Sequence, residues 1–278
     1  VEAYRPIDLK EALGILEKED LYILNGGTDL MVKKKSTAGL LPRFDKKVMF
    51  IAQLEELKDI YINEQYVYIG SGCSYADILK CADIPELVKA PIKDLASPAI
   101  RNIATIGGNI CNASPAADIL PALYALHAKV VIAASYGKKE VPIEYFISGP
   151  SKTILLKDEL CIEIKIPHKA FDKEYYKKVG TRKATAIAKL SFVGAAEVSR
   201  GKIQDIRLSF GAVGPTVVKS RNLEKEIIGL AVKDAQDNLK DIISKYDNII
   251  RPIDDQRSNA TYRKRVVLNL LADFIGSL

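Results

Sequence analysis

The chain has 278 residues, 48% hydrophobic and 27% charged, with a formal net charge of +6, four Cys, two His and no Trp. That apolar content excludes a disordered chain and the length excludes a disulfide-stapled miniature; roughly 100 to 200 residues per domain suits one large or two ordinary domains. Residues 1–168 carry 20 Lys and Arg against 22 Asp and Glu, net −2, whereas residues 169–278 carry 21 against 13, net +8. The basic half interleaves its charges, as at Lys233, Asp234, Asp237, Lys240 and Asp241, which is the pattern of a solvated helix face and not of a nucleic-acid surface.

In chain order, residues 8–16 open with Asp8 and Glu11 and place Leu9, Ala12, Leu13 and Leu16 on one face, which predicts a capped amphipathic helix. A strand over 21–24 meets Asn25-Gly26-Gly27, and a helix is expected to start with Thr28 or Asp29 as its cap. A strand over 66–70 and a short helix over 74–80 follow. The apolar stretch 119–136 is broken by Pro121, His127 and Lys129, too short a run for a membrane span. Its first part predicts a helix over 115–128, with Asp118 near the start and Pro121 in the first turn, and strands are expected over 129–134 and 160–166. Beyond Pro167 come strands over 171–179, 190–199 and 202–210, the last two joined by a tight turn at Arg200-Gly201, then helices over 223–230, 232–246 and 255–275. Strands followed by helices predict an α+β second domain.

The opening residues carry Glu2, Arg5, Asp8 and Lys10 where a secretory signal needs an apolar core, so a cytoplasmic chain is expected. Cys73, Cys81, Cys111 and Cys161 have no C-x-x-C pair and no neighbouring His pair, so metal ligation by this chain is not expected. His127 falls within an apolar helix and reads as a packing residue, His168 as a surface turn residue; neither has a Ser or Cys partner at a motif spacing.

Two glycine pairs stand out. Leu24-Asn25-Gly26-Gly27-Thr28-Asp29 lies between a strand and a helix, where successive N–H groups turn towards one point and a phosphate gains hydrogen bonds and the helix dipole; an ordinary strand-to-helix turn is the alternative. Thr105-Ile106-Gly107-Gly108-Asn109 precedes Asn112, Ser114 and Asp118, a run of small and polar residues read as a loop that lets a ligand approach the backbone. Two such loops suit a dinucleotide, with the Asp118 carboxylate on a sugar or ribityl hydroxyl and away from the pyrophosphate.

The run from Ser97-Pro98-Ala99-Ile100-Arg101-Asn102 through Thr105-Ile106-Gly107-Gly108-Asn109-Ile110-Cys111-Asn112-Ala113-Ser114-Pro115-Ala116-Ala117-Asp118 to Pro121 resembles the signature of the FAD-binding subunit of molybdenum hydroxylases, the relatives of xanthine, carbon monoxide and nicotinate dehydrogenases. Tyr4-Arg5-Pro6, Gly26 to Leu30, Ile69 to Gly72, Tyr176 to Val179 with Arg182, and Arg257 to Arg265 match the same family. The resemblance implies an α+β chain. Residues 1–168 would be an FAD domain of two α/β lobes, of the vanillyl-alcohol-oxidase type, with a break near residue 57, and residues 169–278 a small α+β domain. It implies FAD contacts at Ile23, Leu24, Asn25, Gly26, Gly27, Thr28, Asp29 and Leu30, at Thr105, Ile106, Gly107, Gly108 and Asn109, and at Asp118. Leu160 or Cys161 would pack on the isoalloxazine with Leu95 opposite, and Lys177 or Lys178 would be the basic contact.

The expected function is therefore an electron-transfer subunit with no general acid or base of its own. It would take electrons from two 2Fe-2S clusters on a small subunit, fed by a molybdenum cofactor on a large one, and pass them through FAD to NAD or another acceptor. A hetero-oligomer is expected, such as a dimer of heterotrimers, with no nucleic acid and no membrane. Xanthine or a related purine is the first substrate expected of the complex, with nicotinate, an aldehyde or carbon monoxide as alternatives. A hydroxybenzoyl-CoA substrate is disfavoured because the chain lacks the cysteine-rich insertion of those relatives. The rival class is a flavin-binding scaffold subunit without electron transfer.

Overall fold

The structure, a computed structural model, describes residues 2–37 and 39–278. In chain order they form β1 (Ala3–Tyr4), α1 (Leu9–Leu16), β2 (Leu21–Leu24), α2 (Leu30–Lys33), β3 (Lys47–Phe50), β4 (Ile60–Ile62), β5 (Tyr66–Gly70), α3 (Tyr75–Lys80), α4 (Glu86–Lys93), α5 (Pro98–Arg101), α6 (Ile106–Asn112) and α7 (Leu120–Ala125). The chain continues through β6 (Lys129–Ala134), β7 (Gly137–Pro142), α8 (Ile143–Phe146), β8 (Ile147–Gly149), β9 (Lys152–Thr153), β10 (Leu160–Pro167), β11 (Lys173–Val179), β12 (Leu190–Ser199), β13 (Lys202–Gly211), β14 (Val218–Lys219), α9 (Arg221–Ile227), α10 (Val232–Asp237), α11 (Leu239–Ile249) and α12 (Ala260–Gly276). Two compact units result: one from Val1–Ile84, Ala96–Ala113 and Ala128–Pro167, the other from Pro85–Leu95, Ser114–His127 and His168–Leu278.

The first unit begins with α1, whose N-terminus is capped reciprocally. Asp8 Oδ1 accepts from the Glu11 N–H at 2.7 Å, and Glu11 Oε2 accepts from the Ile7 N–H at 2.7 Å. Ala12, Leu13 and Leu16 on its buried face pack with Met49, Ile51, Leu54 and Leu57 and with Val131, Ala133, Leu160 and Ile162. A parallel sheet in the order β1-β3-β2 and an antiparallel one in the order β4-β5-β10-β6-β7 thus share a core, each fully buried aliphatic side chain contributing about 2 kcal/mol. The helix expected after Thr28 is a single turn, α2, with Asp29 at its cap position making no side-chain cap bond.

The second unit carries the antiparallel sheet β11-β12-β13-β14. Arg200 and Gly201, at φ of 51° and 72°, join β12 to β13 by a turn whose left-handed residues match strand twist. Phe192, Phe210, Tyr246 and Phe274 form its aromatic centre, with ring centroids 5.2 Å apart for Phe192 and Phe210 and 5.3 Å for Phe210 and Tyr246.

Four expectations change here. The helix expected over 232–246 is two, α10 and α11, parted at Asn238. The last helix starts at Ala260 and not at 255, because Asn259 Oδ1 caps it through the Tyr262 N–H at 2.7 Å while Asp255 Oδ1 holds a turn through the Arg257 and Ser258 N–H groups. The helix expected over 115–128 shrinks to α7. Asp118 lies outside it, and His127, at φ 54°, turns left-handed beyond its end. The second glycine run is not a loop but the first turn of α6.

Candidate functional site

A cleft of about 280 Å³ lies in the first unit. The segment after β2 forms one wall, α6 another, and the start of β10 a third. The backbone reaches its position because Gly26 has no side chain: a Cβ there would stand 1.8 Å from the Ile103 carbonyl oxygen. Gly27 follows in the left-handed region at φ 70°. Among the described residues, the N–H groups of Asn25, Gly26, Gly27, Thr28 and Asp29 have no protein acceptor. Five consecutive donors without protein partners in a glycine turn are the backbone feature that an anion requires.

The opposite wall behaves differently. Thr105 caps α6, its Oγ1 accepting from the Gly108 N–H at 3.2 Å, while the N–H groups of Ile106 and Gly107 donate to the carbonyls of Cys73 and Ser71 at 3.1 and 2.9 Å. Its leading donors are thus satisfied by protein. What α6 offers the cleft is a close surface at Gly107 and Gly108 and a buried acceptor, Asn109 Oδ1, without a partner among the described residues. Lys33 adds a cation to the lining, with its Nζ donating to Asn112 Oδ1 at 2.5 Å.

Of the residues expected at the site, Ile23, Leu24, Asn25, Gly26, Gly27, Thr28, Asp29, Leu30, Thr105, Gly107, Gly108, Asn109, Leu160 and Cys161 line this cleft together. Ile106 is fully buried and not among its lining residues. Sequence reasoning passed over Lys33 and Cys111 as lining residues. The run Lys33-Lys34-Lys35 was the available signal for Lys33, but adjacent lysines do not tell which one faces the cleft: Lys34, the next residue, is paired with Asp45 at 2.6 Å.

Leu95, Asp118, Lys177 and Lys178 belong to the second unit. There the strand alternation of β11 separates the lysine doublet: Lys177 is exposed, whereas the Lys178 side chain is 7% exposed and pairs with Asp118 Oδ2 at 2.7 Å. Lys178 also donates to the Asp94 carbonyl at 3.1 Å. Burial pushes the Asp118 carboxyl up to about 6, against the opposing pull of Lys178. Its Oδ1 and the buried Tyr176 hydroxyl have no partner among the described residues, and burial raises the Tyr176 phenol as well.

The residues of the cleft fit FAD: a pyrophosphate needs converging N–H donors and a nearby cation, and Asn109 Oδ1 needs a donor such as a ligand hydroxyl or N–H. Among the described residues no cluster of three or more His, Cys, Asp and Glu could hold a metal ion, and no helix is long and apolar enough to cross a membrane.

Comparison with known proteins agrees. Residues 1–169 match the family described as FAD binding domain in molybdopterin dehydrogenase, and residues 174–278 match the CO dehydrogenase flavoprotein C-terminal domain. The chain is 33% identical over 271 residues to the glyceraldehyde dehydrogenase medium chain of Sulfolobus acidocaldarius, covering 95% of this chain and 92% of that one. It is 29% identical over 241 residues to the nicotinate dehydrogenase FAD-subunit of Eubacterium barkeri, covering 82% and 79%. Its fold matches a chain of carbon monoxide dehydrogenase from Hydrogenophaga pseudoflava with a TM-score of 0.89 at 24% identity, over 99% of this chain and 96% of that chain. The chain belongs to the family of FAD-binding medium subunits of the molybdenum hydroxylases, an oxidoreductase family of two-domain α+β flavoproteins.

Proposed function

We propose that this chain is the electron-transfer subunit of an aldehyde-oxidising molybdenum hydroxylase and that the cleft of the first unit holds the FAD pyrophosphate. Residues 1–168 serve as the cofactor domain and 169–278 as the C-terminal domain of the subunit. The observation that carries the site is the row of five unpaired N–H groups from Asn25 to Asp29. In this reading the loop binds the pyrophosphate through those donors, Lys33 balances its charge, Asn109 Oδ1 fixes a ligand donor, and Leu160 and Cys161 close the apolar wall. FAD, when bound, supplies a carrier that takes two electrons and gives them on singly or as hydride. Leu95, Asp118 and Lys177 or Lys178 as further cofactor contacts rest on the sequence motif alone.

Electrons would come from 2Fe-2S clusters on a small partner subunit and a molybdenum cofactor on a large one, in a cytoplasmic assembly such as a dimer of heterotrimers, and would leave to NAD or another acceptor. The match to a glyceraldehyde dehydrogenase medium chain over 95% of this chain puts an aldehyde ahead of the purine expected from the sequence. Xanthine stays as the second reading, supported by 28% identity over 232 residues to the xanthine dehydrogenase FAD-binding subunit of Escherichia coli O157:H7. The test is to isolate the complex through a tag on this chain and assay a panel of aldehydes, purines and nicotinate with NAD and with artificial dyes. Aldehyde-dependent bleaching of the flavin supports the proposal; bleaching by xanthine alone replaces the substrate, and flavin that no substrate bleaches rejects electron transfer.

A further inference from the structure

Two of the four cysteines meet in the wall of the cleft. Cys111 comes from the last turn of α6 and Cys161 from the start of β10, two elements that pack against each other, and their thiols lie close enough to interact. Cys161 is 3% exposed, while Cys111 is half-buried. Cys73 and Cys81 are also free thiols but do not line the cleft. The neighbouring Cys111 side chain and burial push the Cys161 thiol well up, which makes it a poor first target for an oxidant. Cys111, on the cleft wall and less buried, is the one a small solute meets first. A thiol that can be reached, in contact with one that cannot, is the arrangement of an attacking and a resolving cysteine.

We propose that Cys111 and Cys161 form a reversible dithiol–disulfide pair in the cleft wall, oxidised by a hydroperoxide and restored by a dithiol reductant. In the first step Cys111, having given its proton to water, attacks a peroxide oxygen. An S–O bond forms, the O–O bond breaks, and one water leaves. In the second, the Cys161 sulfur attacks the Cys111 sulfur. The S–S bond forms, the S–O bond breaks, and the departing hydroxide takes the Cys161 proton as a second water. Two thiols lose two electrons in all, and hydrogen peroxide gains them to become two waters. The link ties α6 covalently to β10, two of the three walls of the cleft, so the oxidation state of the pair sets how far those walls part. The proposal holds whatever ligand the cleft takes.

The test uses the full-length chain, reduced and then exposed to hydrogen peroxide, with free thiols alkylated under denaturing conditions before peptide mapping. The expected product is a Cys111–Cys161 cross-linked peptide that dithiothreitol reverses, with Cys73 and Cys81 alkylated. In Cys161→Ser, Cys111 should accumulate as a sulfenic acid trapped by dimedone, and in Cys111→Ser neither cleft residue should oxidise. If a variant fails to fold, the wild-type map decides alone. Alkylation of all four thiols, an over-oxidised Cys111 without the link, or a cross-link that forms equally in urea-unfolded chain would overturn the proposal.

Discussion

Replacing Gly108 by Glu separates cofactor binding from folding. A Cβ at this position meets only Thr105 Oγ1, at 3.0 Å, whereas at Gly26 or Gly107 it meets the backbone of a neighbouring segment. Displacing the Thr105 hydroxyl weakens the helix cap by about 1 kcal/mol. Exchanging glycine for a better helix former in the first turn of α6 returns about as much, and a carboxylate near a helix N-terminus adds a few tenths more, so stability should stay within about 1 kcal/mol of wild type. In the cleft the same carboxylate faces the place assigned to a pyrophosphate. Two like charges about 6 Å apart at an effective dielectric of about 20 repel by roughly 3 kcal/mol, so FAD should bind about 100-fold more weakly. Gly108→Ala, which carries no charge, should lose less than tenfold. Titration of FAD into each apo-protein, followed by quenching of flavin fluorescence, gives the affinities, and thermal unfolding gives the stability. A Gly108→Glu protein that folds normally and binds FAD within threefold of wild type would refute the placement.

Gly26→Ala should behave in the opposite way, because its Cβ overlaps the Ile103 carbonyl at 1.8 Å and the two backbones must part by more than about 1 Å. A loss of more than about 3 kcal/mol is expected, read as a lower midpoint in urea. Lys33→Ala removes the cleft cation, so FAD affinity should fall about tenfold and depend less on salt. Asp118 gives a pH signature. Its folded value of about 6 lies above the ordinary 3.8, so the stabilisation is complete below 3.8 and is lost as pH rises through 6, about 3 kcal/mol in all. Asp118→Asn should flatten that fall in urea titrations of the apo-protein between pH 4 and pH 7.5. His127 has the reverse sign: burial, then Lys219 and Arg207, hold it down to about 3, so stability is lost as pH drops below 6.5, and His127→Asn, which tolerates the left-handed backbone, should remove that loss.

Where a local signal and tertiary packing agreed, the sequence was legible. The Asp8 cap, the strand at 21–24, the Arg200-Gly201 turn and the strands β5, β6, β10, β12 and β13 each carry their own local signal and form as expected. The segments missed have none: β3 is four residues without alternation, and β7 reads Gly-Lys-Lys-Glu-Val-Pro because it is an edge strand with an exposed face. At Gly107-Gly108 the low helix propensity of glycine suggested a loop, but the Thr105 cap and the bonds of Ile106 and Gly107 to Cys73 and Ser71 impose the helix. The cleft itself was legible through its glycines and the motif around them. Which of Lys177 and Lys178 is buried beside Asp118 depends on the strand register, and the approach of Cys111 to Cys161, fifty positions apart, is a long-range relation that no spacing encodes.

The most direct measurement of the central claim is the flavin content of the complex isolated through this chain, wild type beside Gly108→Glu. The account predicts one FAD per wild-type chain, an FMN affinity at least 100-fold weaker because FMN lacks the pyrophosphate, and a Gly108→Glu chain that assembles with its partners but carries little flavin. Equal retention of FAD by the two chains, or equal binding of FMN and FAD by the wild type, would contradict it.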